Sequence, residues 1–349
     1  DITLSGGLGA VTKKNINLLP DCSEKLSAVV KDCFTKSIWV VTFASENGFI
    51  NEYNTFHAFE VSEMGVNTTS VKSTFPININ DYRGYLKLSP DGEKMACANV
   101  KADRNPDNPN TTDRLYLYDF DSASGKASNP IPLILSGNSN YPYGVEFSPN
   151  GELLYIHASN DYFEDDRDDP STHSSQLVQF NLLSTDIQNS AIVIDDRQLY
   201  RGGLQLGPDG KIYRALSATY DTGLPYLGVI NNPNTIGTAC NYQHDAINIS
   251  PNLSTQGLPP FIQSFFNEKI DIINNGTESI SLASCEGSKY KLRAPNIPGA
   301  SYTWTRDKNP LSTGNTDLEV SIKGNYEVFI DLNDGNCGAL EGQAFVTFN

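Results

Sequence analysis

The sequence predicts an all-β fold, a β-propeller followed by an immunoglobulin-like sandwich, on three observations. A turn motif recurs at constant spacing, the same strand grammar surrounds each copy, and a Cys–Trp–Cys pattern follows where the repeats end. The motif reads Gly84-Tyr-Leu-Lys-Leu-Ser-Pro-Asp-Gly92, Gly144-Val-Glu-Phe-Ser-Pro-Asn-Gly151 and Gly203-Leu-Gln-Leu-Gly-Pro-Asp-Gly210, and its prolines, Pro90, Pro149 and Pro208, stand 59 residues apart. A fixed period marks one supersecondary unit copied along the chain, each copy needing its neighbours to bury its apolar face.

In each copy a run of alternating apolar residues enters the Pro-Asp/Asn-Gly corner and a second run leaves it, Lys94–Ala98, Leu153–His157 or Lys211–Ala215. Proline presets the first turn position and glycine supplies the positive φ, so each corner predicts a tight hairpin. Third strands are expected at Arg114–Phe120, Gln176–Asn181 and Tyr226–Ile230, and fourth strands at Pro132–Leu135, Ala191–Ile194 and Asp245–Ile249. Four antiparallel strands in every ~40–60 residues, with no helical periodicity between them, describe a propeller blade.

A weaker copy precedes these three, with strands at Lys25–Val30, Ser37–Phe43 and Thr55–Val61 but no Pro-Asp-Gly corner. Before it, Asp1–Leu4 and Lys14–Leu18 are read as outer strands of a partial blade. Four visible blades and a partial one leave two routes to a complete ring: the segment Phe261–Phe266, or blades supplied by upstream sequence.

The repeats give residues 1–266 as the propeller region, 267–276 as a polar linker and 277–349 as a small β-sandwich. In the last stretch Cys285, Trp304 and Cys337 follow the arrangement in which an aromatic packs over a bridge between two sheets. Strands are expected at Ile280–Leu282, Tyr290–Arg293, Tyr302–Thr305, Leu318–Ile322, Asn325–Ile330 and Ala344–Phe348.

Composition narrows the partners. The chain's 25 basic and 41 acidic residues give a net charge of −16, which disfavours nucleic acid and anionic membranes, since both reward clustered lysine and arginine. No apolar run is long enough to span a bilayer. The cysteines, Cys22, Cys33, Cys97, Cys240, Cys285 and Cys337, lack the close spacing of a zinc site. Cys285 with Cys337 and Cys22 with Cys33 are the candidate disulfides, which would require an oxidising compartment. Cys97 and Cys240 read as buried thiols.

No nucleophile elbow, zinc-protease pair, phosphate loop or dinucleotide fingerprint occurs, so no catalytic residue is nominated and a non-enzyme is expected. His57 and His157 alternate with strand residues and read as packing groups, while His173 reads as a solvated loop residue or a ligand. Acids from different blades could still converge for glycoside chemistry. A hydrolase or lyase acting on glycans is therefore the alternative to a binding protein.

The connections between second and third strands are long and polar, and an antiparallel meander puts them all on one face, opposite the Pro-Asp-Gly corners. That face is the candidate binding surface for a protein or polysaccharide. Two of its loops carry oxygen-rich clusters, Asp103, Asn105 and Asp107 in one and Asp161, Glu164, Asp165, Asp166, Asp168 and Asp169 in the other. Such crowded oxygens are relieved by Ca²⁺ or by solvation, and these residues are the candidate calcium ligands.

The wording Leu4-Ser-Gly-Gly-Leu-Gly-Ala-Val11, Tyr85-Leu-Lys-Leu-Ser-Pro-Asp-Gly92, Tyr143-Gly-Val-Glu-Phe-Ser-Pro-Asn150, Leu204-Gln-Leu-Gly-Pro-Asp-Gly-Lys-Ile-Tyr213 and Gly257-Leu-Pro-Pro-Phe-Ile-Gln-Ser264 resembles the propeller region of large Bacteroidetes cell-surface proteins. Those proteins carry a gliding-motility-associated or type B sorting domain. Residues 280–349, with Cys285-Glu-Gly287 and Ala300-Ser-Tyr-Thr-Trp304, resemble their PKD-like modules. The resemblance implies export by type IX secretion, a place at or release from the cell surface, adhesion or binding as the role, and components of the secretion or gliding machinery as further partners. It also implies further propeller sequence upstream, and a C-terminal sorting domain that is absent from this chain or removed. Asp121-Ser122-Ala123 resembles the Bacteroidetes O-glycosylation acceptor, with Ser122 as the modified residue.

Overall fold

The computed structural model describes residues 3–32, 35, 37–48, 53–100, 114–160, 167–266, 269–274, 281–333 and 339–348. The first sheet holds β1 (Leu26–Asp32), β2 (Ser37–Ala44) and β3 (Tyr53–Ser62) as a meander, with β4 (Gly65–Val66) and β5 (Val71–Ile79) both pairing β3. Three regular blades follow. They are β6 (Leu86–Leu88), β7 (Lys94–Ala98), β8 (Leu115–Asp121) and β9 (Lys126–Leu133); β10 (Tyr141–Phe147), β11 (Leu153–Ser159), β12 (Ser175–Asn181) and β13 (Ile192–Arg197); and β14 (Leu204–Leu206), β15 (Ile212–Arg214), β16 (Tyr226–Ile230) and β17 (Tyr242–Asn248). Each is a four-stranded antiparallel sheet in chain order. The repeated units are propeller blades.

The corners share one construction. Gly92, Gly151 and Gly210 have φ of 75°, 72° and 73°, the left-handed region that β-carbon-bearing residues enter at a cost. In the first two corners the serine before the proline works twice: its hydroxyl accepts the amide of Lys94 or Leu153 at 2.9 Å and donates to the Asp91 or Asn150 side chain. In the third corner Gly207 replaces that serine, and its amide meets Lys211 O at 2.8 Å across a turn one residue shorter.

The first strand of each blade is an edge strand, and its free edge faces the ring axis. There the middle residues of Leu-Lys-Leu, Val-Glu-Phe and Leu-Gln-Leu meet: Lys87, Glu146 and Gln205, spaced by the same 59 residues as the prolines. Lys87 Nζ donates to Glu146 Oε2 at 2.9 Å and to Gln205 Oε1 at 2.6 Å. The Glu146 carboxylate also accepts from Leu206 N, Phe147 N and Gln263 Nε2. Both charged side chains are fully buried. A buried carboxylate is tolerable only when its lone pairs are filled, and here donors from three strands and one loop fill them.

Gln263 opens a short 3-10 turn, Gln263–Phe266, that lies against β1, and its neighbours make the junction. Ile262 bridges Ala28 in parallel, and the Ser264 hydroxyl accepts Val30 N at 2.9 Å. The expected segment 261–266 therefore fills the space between β14 and β1. Backbones approach so closely near the axis that a β-carbon on Gly144 would sit 2.2 Å from Gly202 O. Apolar clusters lie between the sheets, one around Phe43, Phe56, Met95 and Tyr118, another around Val145, Phe147, Ile156 and Phe180.

The expected strand at Lys14–Leu18 is absent. Residues 5–7 form a 3-10 turn, Gly6, Gly7 and Gly9 have positive φ, and Leu8 and Val11 are exposed. Alternating sequence without a neighbour to pair its amides does not make a strand. Asp1 and Ile2 lie outside the described residues.

The last sheets form a sandwich. β19 (Ser281–Ser284), β20 (Tyr290–Arg293), β21 (Ser301–Arg306), β22 (Asn309–Thr313), β23 (Asp317–Val320), β24 (Gly324–Asp331) and β25 (Ala339–Phe348) are joined by β18 (Lys269–Ile270), which pairs β25 in parallel. Ile272 and Ile273 sit in the sandwich core, so residues read as linker supply a strand and two core side chains. Trp304 is wholly buried at the centre, its Nε1 donating to Asn315 O at 2.8 Å. Cys285 is exposed after β19 rather than among the side chains around Trp304, and Cys337 lies outside the described residues.

Candidate binding face

The connections after β2, β7, β11 and β15 share the face where each first strand begins, and in the one at 160–174 the described residues are Asn160 and 167–174. Asn160 closes its base, with Nδ2 donating to Thr172 O at 2.7 Å and Oδ1 accepting Ser174 N at 3.2 Å. Asp169 caps the short turn Pro170–Thr172, accepting the Ser171 hydroxyl at 2.7 Å and Ser171 N at 2.9 Å, and these bonds hold its carboxyl below the usual range. Asp168 is exposed and lies 3.7 Å from Arg167.

From this loop an array of arginines and tyrosines runs to the axis. The Arg167 guanidinium lies 4.7 Å over the Tyr220 ring, and the Arg167 carbonyl accepts both Tyr220 N and His173 Nε2. Tyr220 packs edge-on against Tyr200 at 6.1 Å, and Arg201 sits over Tyr200 at 4.9 Å and Tyr143 at 5.7 Å. Tyr143 meets Tyr85 at 5.4 Å, whose hydroxyl accepts Leu258 N and donates to Leu258 O. Burial pushes the Tyr85 hydroxyl up to about 12, so it stays a neutral donor. Tyr143, Tyr200 and Arg201 are buried and Tyr85 partly so, whereas Tyr220 and Arg167 reach solvent. Each guanidinium over a ring face gains cation–π attraction and keeps its in-plane donors for other partners.

His173, read as solvated or ligating, is instead buried and packs edge-to-face on Tyr200 with ring centroids 4.9 Å apart. His57 and His157 are packing residues. His57 bonds the Ser45 carbonyl and the Ser70 hydroxyl, both at 2.9 Å. His157 Nε2 donates to Tyr200 O at 2.7 Å, and its Nδ1 accepts Arg214 Nε at 3.0 Å. Burial first, then the Arg214 charge, pushes the His157 imidazole well below its ordinary value, so it is neutral. Arg214 in turn pairs with Asp195 at 2.7 Å. Burial opposes the charged form of Asp195, but bonds from Arg197 and Arg214 outweigh it and hold the carboxyl below its usual range. The buried carboxylates Asp81, Glu146 and Asp195 each face a cation, Arg83, Lys87 or Arg214, and serve as charge partners.

Of the calcium candidates, Asp103, Asn105, Asp107, Asp161, Glu164, Asp165 and Asp166 lie outside the described residues, as does Cys33. Among the described residues no group of three metal-ligating side chains converges. Cys22 is exposed, and burial pushes the Cys97 thiol up to about 11. Ser122 sits in the β8–β9 turn, where its carbonyl accepts Trp39 Nε1 at 2.7 Å. Sequence reasoning missed Tyr85, Tyr143, Tyr200, Arg201 and Tyr220. The available signal was limited to Tyr85, just before β6, and Tyr143, early in β10.

The chain matches no protein-family model and no curated protein. Among solved structures it is similar to a GH74 enzyme from Niastella koreensis, at 11% identity and a TM-score of 0.38 over 95% of this chain and 40% of that one. It is also similar to an oligogalacturonate lyase in complex with manganese, at 12% identity and TM-score 0.35 over 61% and 50% of the two chains. A protein of unknown function from Dyadobacter fermentans gives 13% identity and TM-score 0.32 over 93% and 96%. This chain thus spans half or less of the first two, and likeness so distant carries no argument about activity.

Proposed function

We propose that this chain is a secreted or surface-displayed binding protein whose propeller presents its long-loop face to a polysaccharide or protein partner. The observation that carries the reading is the arginine–tyrosine array, buried at the axis and open at Arg167 and Tyr220. Rings fixed in place by packing offer apolar area at little entropic cost, and stacked guanidinium groups offer charged donors, which suits hydroxyl- and carboxylate-bearing ligands. The Lys87–Glu146 pair fills the axis beneath, so the face works as a platform. The resemblance to Bacteroidetes surface proteins supports export by type IX secretion and adds secretion or gliding components as partners. Calcium bound by the two acidic loops belongs to this reading and is checked by melting with calcium and with a chelator, a higher midpoint with calcium being expected.

The test is glycan-array and pull-down binding by the whole chain beside Arg167→Ala and Tyr220→Ala, with turnover assayed on the same polysaccharides. Binding weakened at least ~10-fold by either substitution is the expected result. Release of reducing sugar, or binding indifferent to both changes, would overturn the binding-only reading.

A further inference from the structure

The repeat spacing brings three different functional groups to one buried point on the propeller axis: the amine of Lys87, the carboxylate of Glu146 and the carboxamide of Gln205. They are 2%, 0% and 5% exposed, so bulk water is kept from all three. Lys87 Nζ stands 2.9 Å from Glu146 Oε2 and 2.6 Å from Gln205 Oε1. Gln205 Nε2 donates to Leu206 O at 2.9 Å and to Gln263 Oε1 at 3.3 Å, which holds the amide with its oxygen towards the lysine. Gln263 in turn donates to the other Glu146 oxygen. Lys25, also buried, gives its Nζ instead to the main-chain carbonyls of Asp81, Tyr82 and Arg83.

The axis therefore holds a primary amine against a primary carboxamide, with a carboxylate touching the amine. Those are the parts of an amide exchange: a nucleophile, an acyl group, and a base that can return the proton as an acid. Lys87 lies on β6 and Gln205 on β14, so two rigid strands hold the reacting groups together, and Nζ has only to move from the carbonyl oxygen to the carbon bonded to it. Such fixed proximity lowers the barrier to a reaction that is negligible between free side chains. Burial also removes water as a competing nucleophile.

We infer that Lys87 and Gln205 join in an isopeptide bond across the axis, with Glu146 carrying the protons. Glu146 takes one proton from the Lys87 ammonium across their contact, and burial favours the exchange because two neutral groups replace two charges. The Nζ lone pair attacks Gln205 Cδ, the Nζ–Cδ bond forms, the Cδ–Nε2 bond breaks, and Glu146 gives its proton to the departing nitrogen. The second Nζ proton follows the same route. The leaving nitrogen departs as ammonium, and Glu146 ends as a carboxylate that accepts the new amide N–H. The bond links residues 118 apart and restrains the unfolded chain as a disulfide would, without a cysteine. It lies beneath the proposed binding face and does not depend on what that face binds.

The experiment is intact-mass spectrometry of the whole chain after denaturation, followed by protease mapping. The expected mass is lower than that of the sequence by one ammonia, and the map should contain one branched peptide carrying both Lys87 and Gln205. Glu146→Gln, which removes the proton carrier, and Gln205→Met, which removes the acyl group but keeps the Lys87–Glu146 pair, should each show the full mass of its own sequence. The wild-type mass decides the matter even if a variant fails to fold. The full sequence mass in the wild-type protein, an ammonia loss that maps to any other residue, Gln263 included, or a loss that persists in either variant would overturn the assignment.

Discussion

The propeller and the sandwich bury their sheets in opposite ways. The sandwich closes on Trp304, Val328, Ile330 and Val346, an apolar centre whose one polar handle, the Trp304 indole N–H, is satisfied by a carbonyl. The propeller's apolar residues lie between blades, and its axis is polar, with Lys87, Glu146, Gln205 and Gln263 bonded to one another. In the sandwich, stability follows the volume filled. At the propeller axis it follows whether every buried charge keeps its partner, because an uncompensated carboxylate there costs more than the ion pair itself contributes.

The chain's two tryptophans make the comparison measurable, since Trp39 reports the propeller and Trp304 the sandwich. The largest expected effects strike one region each. Trp304→Ala should destabilise the sandwich by about 3–5 kcal/mol and leave the Trp39 fluorescence transition in urea where it was. Lys87→Met should cost the propeller about 3–5 kcal/mol by leaving Glu146 buried and unpaired, with the Trp304 transition unmoved. A shifted Trp39 transition in Trp304→Ala, or a shifted Trp304 transition in Lys87→Met, would break the contrast.

A smaller effect depends on pH. The His157 pKa is lower in the folded protein than the ordinary imidazole value, so unfolding takes up a proton once pH falls below about 6.5. The stability it contributes is present above that value and is lost as pH falls below it, by at most about 1.4 kcal/mol per pH unit. His157→Gln should flatten the acid slope of the propeller's urea midpoint; an unchanged slope would show that His157 does not carry it. Asp195 acts in a separate, more acidic window, where its depressed pKa releases stability only as pH falls through and below the carboxylate range. Smaller again is Gly210→Ala, where no atom obstructs a methyl group and only the positive φ resists it; calorimetry should show a loss of about 1–2 kcal/mol. Lys289→Ala, which removes an exposed partner of Glu319, should leave the sandwich's urea midpoint unmoved, because solvent and salt screen so exposed a pair.

What could be read from sequence follows the same division. The corners were legible because proline, asparagine or aspartate, and glycine each have a local conformational reason to be there, and Lys94–Ala98 and Tyr226–Ile230 form strands at the expected limits. The strand at Lys126–Leu133 begins six residues before the expected Pro132, since cross-strand pairing to β8, not local apolarity, defines it. Lys14–Leu18 failed for want of a pairing partner, and Lys269–Ile270 was hidden because two residues carry no periodicity. The candidate face was legible as loops but not as residues. Arg167, Tyr200, Arg201 and Tyr220 come together only through the ring, and no spacing along the chain encodes that contact.

A double-mutant cycle on Lys87 and Glu146, read by Trp39 fluorescence in urea, tests the polar axis most directly. With Lys87→Met, Glu146→Gln and the pair combined, the two residues should couple by about 1–3 kcal/mol, the combined variant being more stable than the sum of the single losses requires. Strict additivity would mean that these side chains do not meet, and that the repeats are not gathered about one axis.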